Sequence, residues 1–401
     1  VVVVVVVVVD GNDNNDGSEF SPLASLKGAF MNVHSGDTIL IKTGTYTGND
    51  NAGFYDDMIF SQNTEQSSNG FNQDQSMELT IRGETGNPND VIFDGQNNNH
   101  QRFFIFHRSD PYYDKVSFEG MTFQNEYHSG DNPDDEPGGG AILISQTTTE
   151  LVFDKVIFKN NQAEQPNFHS GGGAVHIAVK RGGISPKFIE CAFINNKIKN
   201  QNDAQGSNAL GGAVSIEPGW EGYDGDPLKE SAVIFDRCYF DGNEAQNNSN
   251  NNQTQSSGAA IDARANIIVR NSLFVKNRFS GSNTSDNYYK GVITFQPEYQ
   301  DQSGDLTSGR ALLINSTFYD NQAYKVIAMN GSQNNLAQVH IYNNIFSEYQ
   351  SFAISIGGGV ELDSDYNLFD KSEGNYDNAG GNVEGLNSDI IAGPKFKNSS
   401  T

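Results

Sequence analysis

The chain has 401 residues, 50 acidic and 25 basic, for a formal net charge of −25 at pH 7. A field of that sign repels nucleic acid, anionic membrane and polyuronate alike unless metal ions intervene, and it suits a protein kept soluble in a salty extracellular medium. No apolar run is long enough to predict a transmembrane span, and no basic start with a cleavage site predicts a signal peptide.

Val1–Val9 is a run of identical residues whose side chains are not interpreted; as a strand it would sit where a first coil needs one. Ser21-Pro22 is expected to start a short helix with Leu23, Leu26, Ala29 and Phe30 on its apolar face. Gly36-Asp37 turns into a strand over Thr38–Lys42, and Gly44-Thr45-Tyr46 closes that coil. Further strands are predicted at Leu79–Gly83, Val91–Gly95, Phe103–Phe106 and Val116–Phe123.

From Gly138 to Phe369 one phrase recurs with variations. A Gly-Gly-Ala-apolar-x-apolar strand is followed, after a variable gap, by an apolar stretch ending in Phe, with Asn three residues later. The Phe positions are 123, 158, 193, 240, 274, 318, 346 and 369; the trailing Asn stands at 161, 196, 243, 277 and 321. Self-similarity at tens of residues means stacked units, none able to bury its own apolar face. The short, β-branched, alternating strands give an all-β fold, a right-handed parallel β-helix (solenoid) with a short N-terminal capping helix. The expected division is 1–46 for the cap and first coil, 47–370 for the coils, and 371–401 for a closing strand and polar tail. The abundant polar residues are assigned to turns and loops.

Cys191 and Cys238 each stand two residues before a repeat Phe, in one column with Val156, Ser272 and Ser316. Neighbouring coils lie about 4.8 Å apart, so the thiols are read as stacked, buried and free, although that spacing also admits a disulfide. The Asn column is explained by tolerance of left-handed turns and amide hydrogen bonds between coils, and Gly-Gly by a tight bend before the floor strand.

Long polar loops stand on both sides of the Gly-Gly-Ala strand, among them 126–137, 197–210, 246–257 and 279–290 before it and 180–186, 217–230 and 296–309 after it. That strand column is therefore expected to floor a groove walled by loops. Alternation points Val175, Ile177, Val214, Ile216, Ile261 and Ile293 inward. It leaves His176, Ser215, Asp262 and Thr294 in one outward column, and Glu217, Arg264 and Gln296 in the next. Glu217 and Asp262 on adjacent coils have a separation suited to acid–base work on a glycosidic bond. Arg264 is placed to pair with Glu217. His176 is either a general base or a hydrogen-bonded surface residue. Trp220 and Tyr223 either stack on a sugar or, for Trp220, pin the loop to the wall. Lys180, with Arg181, is the only basic pair bordering the groove, too little for a strong lyase signal. Asn12–Gly17 partly matches a calcium loop without its terminal glutamate. The acidic loops at Asp131, Asp134, Asp135 and Glu136, and at Asp224 and Asp226, are either Ca²⁺ sites or solvated charge. The metal set is left unknown, and Ca²⁺ is the one cofactor contemplated.

Gly11-Asn12-Asp13, Asn15-Asp16-Gly17, Pro22, Gly36-Asp37-Thr38 and Gly44-Thr45-Tyr46 together resemble the N-terminal cap of secreted right-handed β-helix proteins. These include polysaccharide lyases of the pectate and chondroitinase type and bacterial surface proteins. The Gly-Gly-Ala and Phe-x-x-Asn repeats look more like the adhesin-like surface branch. This resemblance implies an extracellular or cell-surface location of bacterial type, with secretion or anchoring machinery beyond the visible C-terminus. It implies no activity, because enzymes and non-enzymes share the cap.

The sequence as a whole reads as a non-catalytic extracellular module that holds a glycan or another surface component in the loop-walled groove. The alternative is a carbohydrate-active enzyme, a polysaccharide lyase or glycoside hydrolase, using the same groove. Its acid–base pair would be Glu217 and Asp262, with His176 or Lys180 as an assisting base. Ser215, Trp220, Tyr223, Arg264, Thr294 and Gln296 would bind the substrate.

Overall fold

The structure is a computed structural model that describes residues 3–55, 78–97, 102–107, 115–129, 138–145, 147, 149–165, 170–179, 185–201, 208–218, 232–251, 254–282, 290–297, 309–331, 337–371, 373–378, 381–385 and 388–392.

One coil shows how the sequence becomes structure. Lys187–Ile189 and Ala192–Ile194 lie in the main sheet, separated by Glu190 in the left-handed region at φ 53°. Asn195, at φ 52°, turns the chain into Lys197–Asn200 on a flanking sheet, and Ala209–Leu210 follows on a third sheet. Gly211, at φ 70°, then opens Val214–Pro218, the floor strand. Val233–Asp236 begins the next coil one layer on, paired in parallel with Lys187–Ile189. Among the described residues the four sheets hold 21, 10, 5 and 3 strands. The result is an all-β fold of stacked parallel sheets in a solenoid-like arrangement.

The core is a set of vertical rows. Phe118, Phe153, Phe188 and Phe235 stack with ring centroids 5.1, 4.9 and 5.1 Å apart. The repeat phenylalanines form a second stack, with 4.7 Å between Phe193 and Phe240 and 4.5 Å between Phe240 and Phe274. Opposite them, Val175, Val214, Ile261 and Ile293 stand in register, as do Ile177 and Ile216, all fully buried. The expected inward set is the observed one. Dispersion between identical neighbours and removal of apolar area from water act together along each row.

Two buried polar columns hold the corners. In the first, the backbone N–H and Nδ2 of Asn196 both donate to Oδ1 of Asn243, at 3.0 and 3.1 Å. Asn243 donates in the same way to Asn277, and Asn277 to Asn321. Each Nδ2 also donates to a Phe carbonyl of the preceding coil, as Asn243 does to Phe193 at 2.8 Å. The left-handed residue is not this asparagine but the one before it: Asn160, Asn195, Gly242, Lys276 or Asp320. The ladder asparagine is therefore needed for its amide, and turn geometry is a separate duty.

The second column contains the cysteines. Cys191 and Cys238 are both free and buried, and their thiols donate to the carbonyls of Phe153 and Phe188 at 3.3 Å. Burial, then the neighbouring Cys238 thiol, pushes the Cys191 thiol well above its ordinary pKa. The column continues by backbone N–H donation from Cys238 to Ser272, Ser272 to Ser316, Ser316 to Asn344 and Asn344 to Asn367.

At the N-terminal end Val4–Val7 pairs with Thr38–Ile41, supplying the first strand. The helix spans Leu26–Phe30 and buries Leu26, Ala29 and Phe30. It starts later than Ser21-Pro22 suggests, because Ser25 is the N-cap, its Oγ accepting from the Gly28 N–H. Asp13 takes the N–H groups of Ala24 and Ser25 and the Ser25 hydroxyl. The Asn12–Gly17 segment thus spends its oxygens on the cap: Asn12 Oδ1 accepts from Asn14 N–H and Asp16 Oδ1 from Ser18 N–H.

Asn243→Ala should leave the Asn196 amide and the Phe193 carbonyl buried without partners. The expected loss is on the order of 3 kcal/mol in chemical denaturation, and a loss under about 0.5 kcal/mol would show that the ladder is dispensable.

Candidate functional site

The outward column of the floor sheet is assembled as the sequence suggests but is not open. Leu143, His176, Ser215, Asp262 and Thr294 follow one another in register. All are buried, Asp262 to 1% exposure. The cover comes from segments expected to be loops. After each Asn corner the chain forms strands at Gln162–Gln165, Lys197–Asn200, Glu244–Asn247 and Arg278–Ser280. It then folds back as Ser170–Gly171, Ala209–Leu210 and Ser256–Ser257. A Cβ on Gly171 would lie 2.6 Å from both His176 Nδ1 and Ser215 Oγ, so this backbone rests directly on the column. Ser257 Oγ donates to Asp262 Oδ1, and the Gly258 N–H donates to Thr294 Oγ1 at 2.9 Å. Ala163, Ile198, Ala209 and Ala245, with Phe279 against them, form a small second core between the two added layers.

The expected open trough is therefore corrected to a roofed one. The polar column serves as the seam between floor and roof. Asp262 Oδ2 is also 3.3 Å from Arg264 Nε, an ion pair between residues two apart along the chain in place of the expected Arg264–Glu217 pair. A carboxylate fixed by a hydroxyl and a guanidinium at 1% exposure is poorly placed for acid–base exchange with a bound sugar.

The next column stays at the rim. Backbone bonds Arg264 N–H to Ile216 O, Gln296 N–H to Ala263 O and Asn330 N–H to Phe295 O align Glu217, Arg264, Gln296 and Asn330. Glu217 is half-buried and lies diagonally across from Asp262 on the adjacent strand. Lys180, Trp220 and Tyr223 lie outside the described residues, as do Asp131, Asp134, Asp135, Glu136, Asp224 and Asp226.

An open cleft occurs instead on the outer face of the main sheet, where the sequence suggested nothing. Its volume is about 390 Å³, and it is lined by Gln338, His340, Glu361, Leu362, Asp363 and Asn382. Parallel pairing puts Arg310, Gln338, Glu361 and Asn382 in one outward column and His340 beside Asp363 in another. Arg310 Nε donates to Gln338 Oε1 at 3.2 Å. His340 Nδ1 stands 3.5 Å from Asp363 Oδ2, and its ring stacks on Tyr342 with centroids 6.2 Å apart. Burial, helped by the Asp363 carboxylate as hydrogen-bond acceptor, pushes the Tyr342 hydroxyl up to about 12, so it remains a donor at neutral pH. Glu361 and Asp363 leave one strand on the same face, about 6.6 Å apart at their Cα atoms. The signal available in sequence was the strand Val360-Glu361-Leu362-Asp363-Ser364-Asp365, whose alternation puts three acidic side chains on one face.

Among the described residues no helix is long and apolar enough to cross a membrane, and no group of three or more metal-ligating side chains occurs. No family model matches the chain, and a search of the curated proteins finds no match. Similar solved structures include the pectate lyase Pel9A, 15% identical with a TM-score of 0.47, covering 99% of this chain and 82% of that one. A GH136 lacto-N-biosidase from Eubacterium ramulus is 12% identical with a TM-score of 0.42, covering 98% and 68%. A rhamnogalacturonan lyase is 12% identical with a TM-score of 0.36, covering 97% and 86%. These likenesses are distant and architectural and decide neither activity nor substrate; they lend nothing to the adhesin-like side of the sequence resemblance.

Asp262→Ala would remove the buried carboxylate that accepts the Ser257 hydroxyl and pairs with the partly exposed Arg264 guanidinium. Unfolding free energy should fall by about 1–3 kcal/mol, while any glycan binding by the folded fraction should persist. Full stability with loss of binding would return Asp262 to the functional site.

Proposed function

We propose that this chain is an extracellular right-handed parallel β-helix that acts on a glycan, and that the sugar lies in the cleft across Gln338, His340, Glu361, Asp363 and Asn382. The observation that carries the reading is the pair of carboxylates, two residues apart on one strand face, inside an open cleft of about 390 Å³. Glycosidic hydrolysis uses two carboxyl groups roughly 5–9.5 Å apart flanking the scissile bond, and clefts of several hundred Å³ suit small-ligand recognition. Asp363, held beside His340 and the Tyr342 hydroxyl, would be the base or nucleophile. Glu361, which has no ion-pair partner among the described residues, would serve as the acid. Gln338 and Asn382 offer amides to sugar hydroxyls. The net charge of −25 favours a neutral or amino sugar over a polyuronate.

A second reading, holding without cleaving, is favoured by one observation. Glu361 is exposed and the Asp363 side chain is 44% exposed, so neither carboxyl is desolvated as a general acid usually is.

Glycan-array binding followed by a reducing-end and unsaturated-sugar release assay separates the two. Cleavage should fall by about 10²-fold or more in Glu361→Gln and in Asp363→Asn, with binding retained. Binding without any release in the wild type would establish the second reading. Binding that survives Gln338→Ala and Asn382→Ala unchanged would remove the cleft from both.

A further inference from the structure

The first step of the asparagine ladder is occupied by the wrong residue. Glu126 stands where the repeat elsewhere places Asn: its backbone N–H donates to Asn161 Oδ1 at 3.1 Å, and Gln162 N–H donates to its carbonyl at 2.8 Å. Phe93 and Phe123 stack beneath it in the phenylalanine row, 5.5 Å apart. An asparagine at 126 would therefore have Asn161 Oδ1 and the Phe93 carbonyl as acceptors for its amide, as its counterparts do. Folding alone does not call for a carboxyl at this point.

The carboxyl of Glu126 points elsewhere. The residue is 3% exposed, and among the described residues Oε1 accepts only the N–H of Tyr127, at 3.3 Å. Oε2 has no hydrogen-bond partner among the described residues and lies over Gly95, where an added Cβ would sit 2.1 Å from it. Glu126 lines a cavity of about 110 Å³ together with Tyr46, Asn49, Asn51 and Asp94 and the apolar Ala52 and Phe103. Asp94 is held in place by Gln124 Nε2 at 2.8 Å, Asn125 Nδ2 at 3.1 Å and the Gln96 N–H at 2.8 Å. No basic side chain lines the cavity. Burial, with the Asp94 charge adding to it, pushes the Glu126 carboxyl up to about 9. Two carboxyl-bearing residues line one small cavity, and the described residues put no positive charge there.

We infer that the cavity between Glu126 and Asp94 is a site for a hard divalent cation, Ca²⁺ in the first instance. Glu126 and Asp94 supply the carboxylate oxygens, and amide or backbone oxygens of the wall and water supply the rest. Ca²⁺ takes six to eight oxygens in variable geometry and accepts such mixed sets, whereas Mg²⁺ requires a near-ideal octahedron. A space of about 110 Å³ holds an ion with about three waters, each needing about 30 Å³. Binding would tie the first coils, through Gly95 and Asn161, to the start of the flanking sheet. This site is separate from the cleft proposed to hold glycan and does not depend on that reading.

The experiment uses the full chain, freed of metal with a chelator and dialysed, at pH 7.5. Thermal unfolding is followed with added CaCl₂ or MgCl₂ for the wild type, Glu126→Gln and Asp94→Asn, with stoichiometry from equilibrium dialysis of Ca²⁺. The expected result is a saturable rise in midpoint for the wild type with Ca²⁺, smaller with Mg²⁺. In Glu126→Gln that rise should be lost together with one equivalent of bound Ca²⁺. The metal-free Glu126→Gln chain should be at least as stable as the metal-free wild type, so loss of the response cannot be ascribed to misfolding. Asp94→Asn should weaken the Ca²⁺ response about tenfold or more in concentration. An equal Ca²⁺ response in all three proteins, or no bound Ca²⁺ in the wild type, would overturn the assignment.

Discussion

The structure depends on register carried from coil to coil by buried side chains that repeat their own chemistry. Parallel pairing sets each residue beside its counterpart one layer on, so a row is stable only if its members suit one another. Phenylalanine stacks on phenylalanine at 4.5–5.9 Å through the main row, and asparagine passes two hydrogen bonds to the next asparagine at about 3 Å. A slip of one residue would turn Val214 and Ile216 into the polar seam and the polar set into the apolar core, which is why insertions between strands are tolerated and shifts within them are not. At both corners a left-handed residue precedes the buried ladder residue, as with Glu190 before Cys191 and Asn195 before Asn196. Curvature and cohesion are thereby assigned to adjacent positions.

That division of labour determines where chemistry is available. A floor column facing away from the core would ordinarily be the natural place for a site. Here its polar residues join a second layer to the first: Ser257 to Asp262, Gly258 to Thr294, Gly171 pressed on His176 and Ser215. Polar side chains left uncovered on rigid strands lie at the rim, in Glu217, and on the opposite wall, in the cleft of Gln338, His340, Glu361 and Asp363. Strands position side chains better than loops do, and a cleft built on the main sheet inherits its rigidity from the phenylalanine rows behind it.

Much of this was legible in the sequence because apolar side chains with period two announce themselves. The Phe row, the Val and Ile of the floor strand, the Gly-Gly bend, the cysteine column and the strands from Thr38 to Phe123 all occupy positions close to those read from residue pattern. The second layer was not legible, for a physical reason. Its strands are Gln-Ala-Glu-Gln, Lys-Ile-Lys-Asn and Glu-Ala-Gln-Asn, with one apolar residue each, and several of their polar side chains pair with neighbours in the layer. Lys199 pairs with Glu164, and Lys197 with Glu244. Such segments have the composition of loops and the hydrogen bonding of strands, so alternation of Ala163, Ile198 and Ala245 was the faint available sign. The polar outward residues of the floor looked exposed for the same reason, since what covers them does not advertise itself as structure. The outer-face cleft has only the acidic alternation in Val360–Asp365 as its sign, a pattern that a solvated strand face shows equally.

The two-layer arrangement is tested most directly by amide hydrogen exchange read by mass spectrometry on the native chain. Roof and floor are joined through Ser257 Oγ to Asp262 Oδ1 and Gly258 N–H to Thr294 Oγ1. Peptides spanning 208–216 and 255–263 should therefore exchange together, at the slow rate set by opening of the whole stack. Rapid exchange at 208–211 and 255–258 while 213–216 and 260–263 stay protected would show a bare floor under a mobile loop, and the polar column would again be open to ligand.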